Sequence, residues 1–225
     1  MTVTRQAEKA TQSRGQPRGR ARSRRSYHHG DLRAALLDAA ERELAANGIE
    51  GFTLRGCARR AGVSHAAPAH HFPEVRGLLT ELATIGFERL SSSMALHARD
   101  VPPGSLEHIV AIGNGYVVFA FDNPHLFRLI FRTALLDADE PRFKAAGAAA
   151  FSKPVRAIGA LYASDDPMAE PNLAARVIAI WSIVHGFSEL MLAGQLARGP
   201  GRSMPIHELL ATVIRDGFLP KRKPR

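Results

Sequence analysis

The chain has 225 residues, 45% hydrophobic and 23% charged, which is enough to bury a core and is ordinary for a soluble globular protein. Its formal net charge is +9, and residues 1–30 hold eight basic residues against one acid, Glu8, so the excess is concentrated at one end. One cysteine, Cys57, argues against a disulfide framework and suits a reducing cytoplasm, and no apolar run follows the basic start as an export signal would require.

Residues 1–26 are rich in Arg, Gly, Ser and Gln with almost nothing to bury, and read as a disordered basic arm. Arg18, Arg20, Arg22, Arg24 and Arg25 suit either a solvated tail or contact with a DNA minor groove or backbone. From Asp31 the chain turns helical: Leu32, Leu36, Leu37, Ala40 and Leu44 recur on one face until Asn47-Gly48. Thr53 is placed to cap a second helix, whose stripe is Leu54, Cys57, Ala58 and Ala61. Cys57 reads as core on that stripe, with redox sensing as the alternative. Gly62 can take a left-handed turn, and Ser64 is placed to cap a third helix through His71.

Beyond this point helical patterns run to the end. They cover Val75 to Arg99, Ser105 to Asp122, a restart at Asn123-Pro124, and Pro141 to Tyr162 with a bend or break expected at Pro154. A loop from Ser164 to Pro171 precedes a helix from Asn172 to about Leu196. A connector from Gly199 to Pro205 then leads to a last helix over Ile206–Phe218 and a basic tail, 220–225. The most apolar window, Val177–Ala193, carries Ser182, His185, Ser188 and Glu189, and reads as a buried helix rather than a membrane span.

Few residues suggest chemistry. His28-His29 and His70-His71 are neighbours that cannot share a helix face, and no Cys/Asp/Glu cluster completes a ligand set, so neither metal nor cofactor is expected. His185 and Glu189, at i and i+4, are expected to satisfy each other as a structural pair in the core or a dimer interface. A polar anchor for a ligand, or a catalytic dyad in an all-helical enzyme, are the alternatives; no nucleophile motif accompanies them. Tyr116, Phe119, Phe127, Phe131, Phe151 and Trp181 are core by default, but some should line a pocket between helices.

Three short helices with Ala61-Gly62-Val63-Ser64 between the second and third form a helix-turn-helix pattern. The segments Gly51-Phe52-Thr53-Leu54-Arg55, Ala58-Arg59-Arg60-Ala61-Gly62-Val63-Ser64 and His70-His71-Phe72-Pro73 closely resemble the N-terminal domain of the tetracycline-repressor (TetR) family. Tyr27-His28-His29-Gly30-Asp31-Leu32 resembles one subgroup, as does the Trp-x-x-x-His-Gly signature at Trp181, His185 and Gly186. The resemblance covers about residues 27–219. It implies an all-α subunit of about nine helices, with a helix-turn-helix domain at 27–74 and a regulatory and dimerisation domain at 75–219.

By position, the resemblance makes Thr53 a phosphate contact at a helix N-terminus and Arg55 a candidate for a bidentate guanine contact. Ser64, His65, Ala66 and Ala67 would head the recognition helix, with His70 and His71 near the backbone. Two positions depart from the family: Ala69 stands where a tyrosine is usual and Val75 where a lysine is usual, both phosphate contacts. Their loss lowers affinity without changing which bases are read. The function implied is a cytoplasmic, homodimeric regulator, expected to be a repressor, that binds a palindromic operator and responds to a small-molecule effector. The dimer would form through the last two helices. The rival is non-specific nucleic-acid binding through the arginine arm.

Overall fold

The computed structural model describes residues 29–198 and 203–218; the arginine arm and the basic tail lie outside the described residues. Every regular element there is helical: eight α-helices and three short 3₁₀ turns. Helix α1 spans His29–Asn47, and Gly48, at φ 68°, ends it. Helix α2 spans Leu54–Ala61, capped as expected by Thr53, whose Oγ1 accepts from the Gly56 N–H at 3.0 Å. Gly62 closes α2 at φ 69°, the left-handed conformation its sequence position calls for.

The third helix differs from expectation. Ser64 caps no α-helix; residues 64–66 form a turn that leads into a 3₁₀ turn, Ala67–His70. The cause is Pro68. An α-helix capped at Ser64 needs the amide of residue 68 to reach the Ser64 carbonyl, but proline has no N–H and its ring collides with that carbonyl. The segment turns by i→i+3 bonds instead, Ala67 N to Ser64 O at 3.0 Å and His71 N to Pro68 O at 3.0 Å.

Helix α3, Val75–Ala98, leads from this small head into the body. There α4 (Leu106–Asp122), α5 (Pro124–Ile130), α6 (Pro141–Tyr162), α7 (Pro171–Leu192) and α8 (Ile206–Phe218) complete the fold. Helix α3 packs on α4, α5 and α6, while α4 packs on α7 and α8. No break occurs at Pro154: α6 runs through it, because buried Ala150, Ala157 and Ile158 on either side hold the helix across the missing rung. Helix α7 stops at Leu192, and Gly194 at φ 69° turns the chain before the expected end. One apolar core runs from Leu36, Leu44 and Phe52 in the head to Leu126, Ile158 and Leu210 in the body.

Candidate functional site

The residues expected to read DNA sit at the start of α2 and on the turn that follows Gly62. Thr53, Arg55, Ser64, His65, Ala66 and His70 are exposed, while Ala67 and His71 are half-buried. Ala69 and Val75 are exposed on the same stretch, so the two departures fall on surface positions that a ligand can reach. Their neighbours Phe52, Pro68 and Phe72 are buried. Cys57 is fully buried, and desolvation pushes its thiol up to about 11, so it holds no thiolate at neutral pH and lacks the chemistry of a redox sensor.

The residue that locks the head together is one the sequence reading missed. Glu43 on α1 is 2% exposed and accepts from Arg60 Nε on α2. Hydrogen bonds from Arg60 and Asn47 hold its carboxyl below the usual glutamate value of 4.5, against the opposing effect of burial. Gly56 makes room for it: a Cβ there would sit 1.8 Å from Glu43 Oε1. An acid in the same helical stripe as Leu36, Ala40 and Leu44 was the available signal.

In the body, α3, α4, α6 and α7 enclose a cavity of about 460 Å³. Tyr116, Phe131, Phe151 and Trp181 line it, as the sequence suggested. Phe119 and Phe127 do not line it; they are closed into the core, 2% and 0% exposed. Phe87, Phe143 and Lys144 line it without having been singled out. Edge-on ring contacts knit the wall, Phe131 to Phe87 at 6.3 Å and Phe151 to Trp181 at 5.4 Å between centroids.

The expected pairing of His185 with Glu189 does not form. The His185 ring turns inward against Phe131, 4.6 Å between centroids, and its Nδ1 lies 2.9 Å from the Tyr116 hydroxyl on α4. Glu189 stays exposed, since a carboxylate one turn on keeps its hydration by pointing to water. The two residues therefore form no acid–base dyad, and neither lines the cavity. Burial, reinforced by the charge of Glu189, pushes the Tyr116 phenol above its ordinary range, so it stays a neutral hydrogen-bonding group. No three His, Cys, Asp or Glu side chains among the described residues are grouped to hold a metal.

Links run between head and body. Arg89 on α3 makes two bonds to Glu41 on α1, at 2.5 and 2.8 Å. Glu81 on α3 takes Arg33 of α1 at 2.7 Å and Arg142 of α6 at 3.1 Å. Arg33 also lies 5.4 Å over the ring of Phe72, which follows the 3₁₀ turn Ala67–His70. Near the start of α3, Arg76 donates to the Leu136 carbonyl at 2.7 Å and the Thr80 hydroxyl accepts from the Asp137 amide at 2.9 Å.

Helix α7 corrects the expectation of a buried helix. It is long and apolar enough to cross a membrane, yet one face is packed, on α4, α6 and α8, and the other is not. Its outer face carries Ala175, Ile178, Ala179, Ser182 and Gly186; Ile178 is 51% exposed, and a Cβ on Gly186 would meet nothing within 4 Å.

Comparison with known proteins gives a consistent picture. Residues 36–82 match the family model of bacterial regulatory proteins of the tetR family, and residues 109–215 match that of the tetracyclin repressor-like C-terminal domain. A solved structure of a protein with unknown function from Rhodococcus sp. RHA1 is 30% identical, with a TM-score of 0.70 over 86% of this chain and 96% of that one. A tetR-family bacterial regulatory protein from Rhodococcus RHA1 is 18% identical, with a TM-score of 0.60 over 83% and 95%. The TetR-family transcriptional regulator PfmR from Thermus thermophilus is 15% identical, with a TM-score of 0.60 over 85% and 98%. At these last two identities the likeness is one of fold. Among curated proteins none matches the chain.

Proposed function

The chain belongs to the tetracycline-repressor (TetR) family of bacterial regulatory proteins, and on that footing we propose that it is a homodimeric repressor released from a palindromic operator by a small, mostly apolar effector. Residues 27–74 act as the reading head and 75–219 as the regulatory body. The observation that carries the reading is that helix α3 both leads out of the exposed reading face and walls the aromatic cavity. Trp181, His185 and Gly186 on α7 support placement in the subgroup with that signature.

Thr53 and Arg55 at the start of α2 meet the DNA, Thr53 on phosphate and Arg55 on guanine, and the turn at Ser64–His71 presents its short side chains to the groove. Two copies must hold their heads about one DNA turn apart, roughly 34–36 Å, to fit a palindrome. The uncovered face of α7, together with an exposed Val213 on α8, supports dimerisation through the last two helices. The effector acts only by binding one arrangement of the heads more tightly than the other. Arg142, Glu81 and Arg33 offer a physical route from α6, a wall of the cavity, to α1 and Phe72.

The test is binding of the purified protein to DNA upstream of its own gene, at near-physiological salt with excess random competitor. Saturable, competitor-resistant binding to a short palindrome is the expected result. Binding that the competitor removes would leave the arginine arm as the only DNA contact there, or place the operator elsewhere.

A further inference from the structure

The effector's charge follows from which groups the cavity wall holds and which it lacks. An acid at the wall, as Glu189 would have been, favours a lipophilic cation. Glu189 is instead in solvent, and among the described residues no Asp or Glu lines the cavity. The wall's charged side chain, alone among the described residues, is Lys144 on α6, one residue beyond buried Phe143. Thr133, Lys144 and Trp181 are the exposed members of the lining, so they mark the mouth, while Met94, Ile112 and Ala157 are among the apolar groups of the interior.

We propose that the cavity of this family member takes an amphipathic monoanion, a long apolar body with one terminal carboxylate. The body lies among Phe87, Phe131, Phe143, Phe151 and Trp181, and the carboxylate sits at the mouth on the Lys144 ammonium. The inference rests on reading the cavity as the effector site and adds the sign of the effector's charge.

Two features of Lys144 support the assignment. Its stem can pack along the apolar wall while its ammonium stays at the water boundary, the usual arrangement for a lysine at an apolar rim. Its partner in the free protein is Asp139, 2.8 Å away, whose side chain is 93% exposed. A pair so open to water is weak and readily exchanged for a ligand carboxylate. Lys144 also holds the Asp139 carboxyl below the usual aspartate value, so Asp139 keeps its charge and competes with the ligand at neutral pH. A cationic ligand would have to place its charge beside Lys144 without a carboxylate on the wall to offset it, which disfavours it.

The experiment uses three probes with the same twelve-carbon chain, each below its micellar concentration: dodecanoate, dodecanol and dodecyltrimethylammonium. Trp181, the chain's only tryptophan, lines the cavity, so its emission reports occupancy, with the thermal midpoint as an independent readout. The expected order of affinity is dodecanoate, then dodecanol, then the ammonium. Lys144→Gln should weaken dodecanoate about fivefold and leave dodecanol nearly unchanged. Asp139→Asn should tighten dodecanoate, and Lys144→Glu should reverse the order of anion and cation. These sites are exposed, so folding is not at stake.

A cation that binds the wild-type protein as tightly as the anion, or an order that Lys144→Glu leaves intact, overturns the charge assignment while the cavity reading stands. If none of the three probes moves either readout, the effector-site reading falls, and the charge assignment with it.

Discussion

Glu43 shows what a single buried charge demands of its neighbours. Its carboxylate is 2% exposed, so it is stable as an anion only while Arg60 and Asn47 hold it and Gly56 leaves it room. Arg60→Ala leaves that charge uncompensated and is expected to cost about 3 kcal/mol, read as a lower thermal midpoint with α2 the first element to lose amide protection. The pH dependence has a definite sign. The folded pKa of Glu43 lies below its ordinary 4.5, so the unfolded chain binds the proton more readily, and this contribution is complete at neutral pH. It is lost as pH falls below about 4.5 through the folded value, and a Glu43→Gln variant should lack that part of the acid slope. An acid sensitivity unchanged in Glu43→Gln would place its origin elsewhere.

Ala69 and Val75 pose the opposite question at the surface, since both are exposed at positions to which the family resemblance assigns phosphate contacts. Restoring both, as Ala69→Tyr and Val75→Lys, should raise affinity for matched and random duplexes by a similar factor, because phosphate contacts carry no sequence information. The added lysine should steepen the salt dependence by about one unit of log–log slope. A gain confined to one sequence would mean these positions read bases. Single residues of this kind were partly legible: Thr53 and Gly62 declared their backbone roles through their chemistry. Glu43 did not, because a lone acid in a helical pattern reads as solvated until its partner on another helix is known.

At the scale of elements, the caps made most helices legible. Ser105, Pro124 and Pro141 start α4, α5 and α6 where their side chains and fixed φ predict. Proline's two effects were harder to weigh. Pro68 prevented a helix because it falls in the first turn of a short segment with few buried neighbours to hold it, whereas Pro154 left α6 intact because buried side chains flank it on both sides. Cavity aromatics were legible as a set but not individually, since Phe119 and Phe131 sit in similar apolar patterns and only packing separates wall from core. The links between elements were not legible at all, because ion pairs such as Arg33–Glu81–Arg142 join residues 48 and 61 positions apart. Glu81→Gln removes the shared carboxylate. It is expected to shrink the effector-induced loss of operator affinity by about 0.5–2 kcal/mol while leaving effector affinity near its original value. Operator titrations with and without saturating effector measure this, and full release in the variant would route the coupling through the Arg76 and Thr80 contacts instead.

For the whole molecule, the decisive fact is that α7 is apolar on two sides and covered on one. Sequence cannot separate a helix buried within its own chain from one whose second face awaits another copy, because both read as continuous apolar runs. Here Ile178 and the small residues Ala175, Ala179, Ser182 and Gly186 form a face that the monomer leaves in water. Small side chains allow helix axes to approach closely, and two copies related by a two-fold axis would bring this face against itself. Gly186 separates a role in the monomer from a role between copies. A side chain there meets nothing within 4 Å in one subunit, and replacing a helical glycine by leucine favours the helix by roughly 0.5–1 kcal/mol. Gly186→Leu should therefore leave the circular dichroism unchanged and yet convert the proposed dimer to a monomer in sedimentation. Because one head alone spans half a palindrome, operator binding should weaken far more than binding to a half-site. A Gly186→Leu protein that stays dimeric would move the interface off this face of α7.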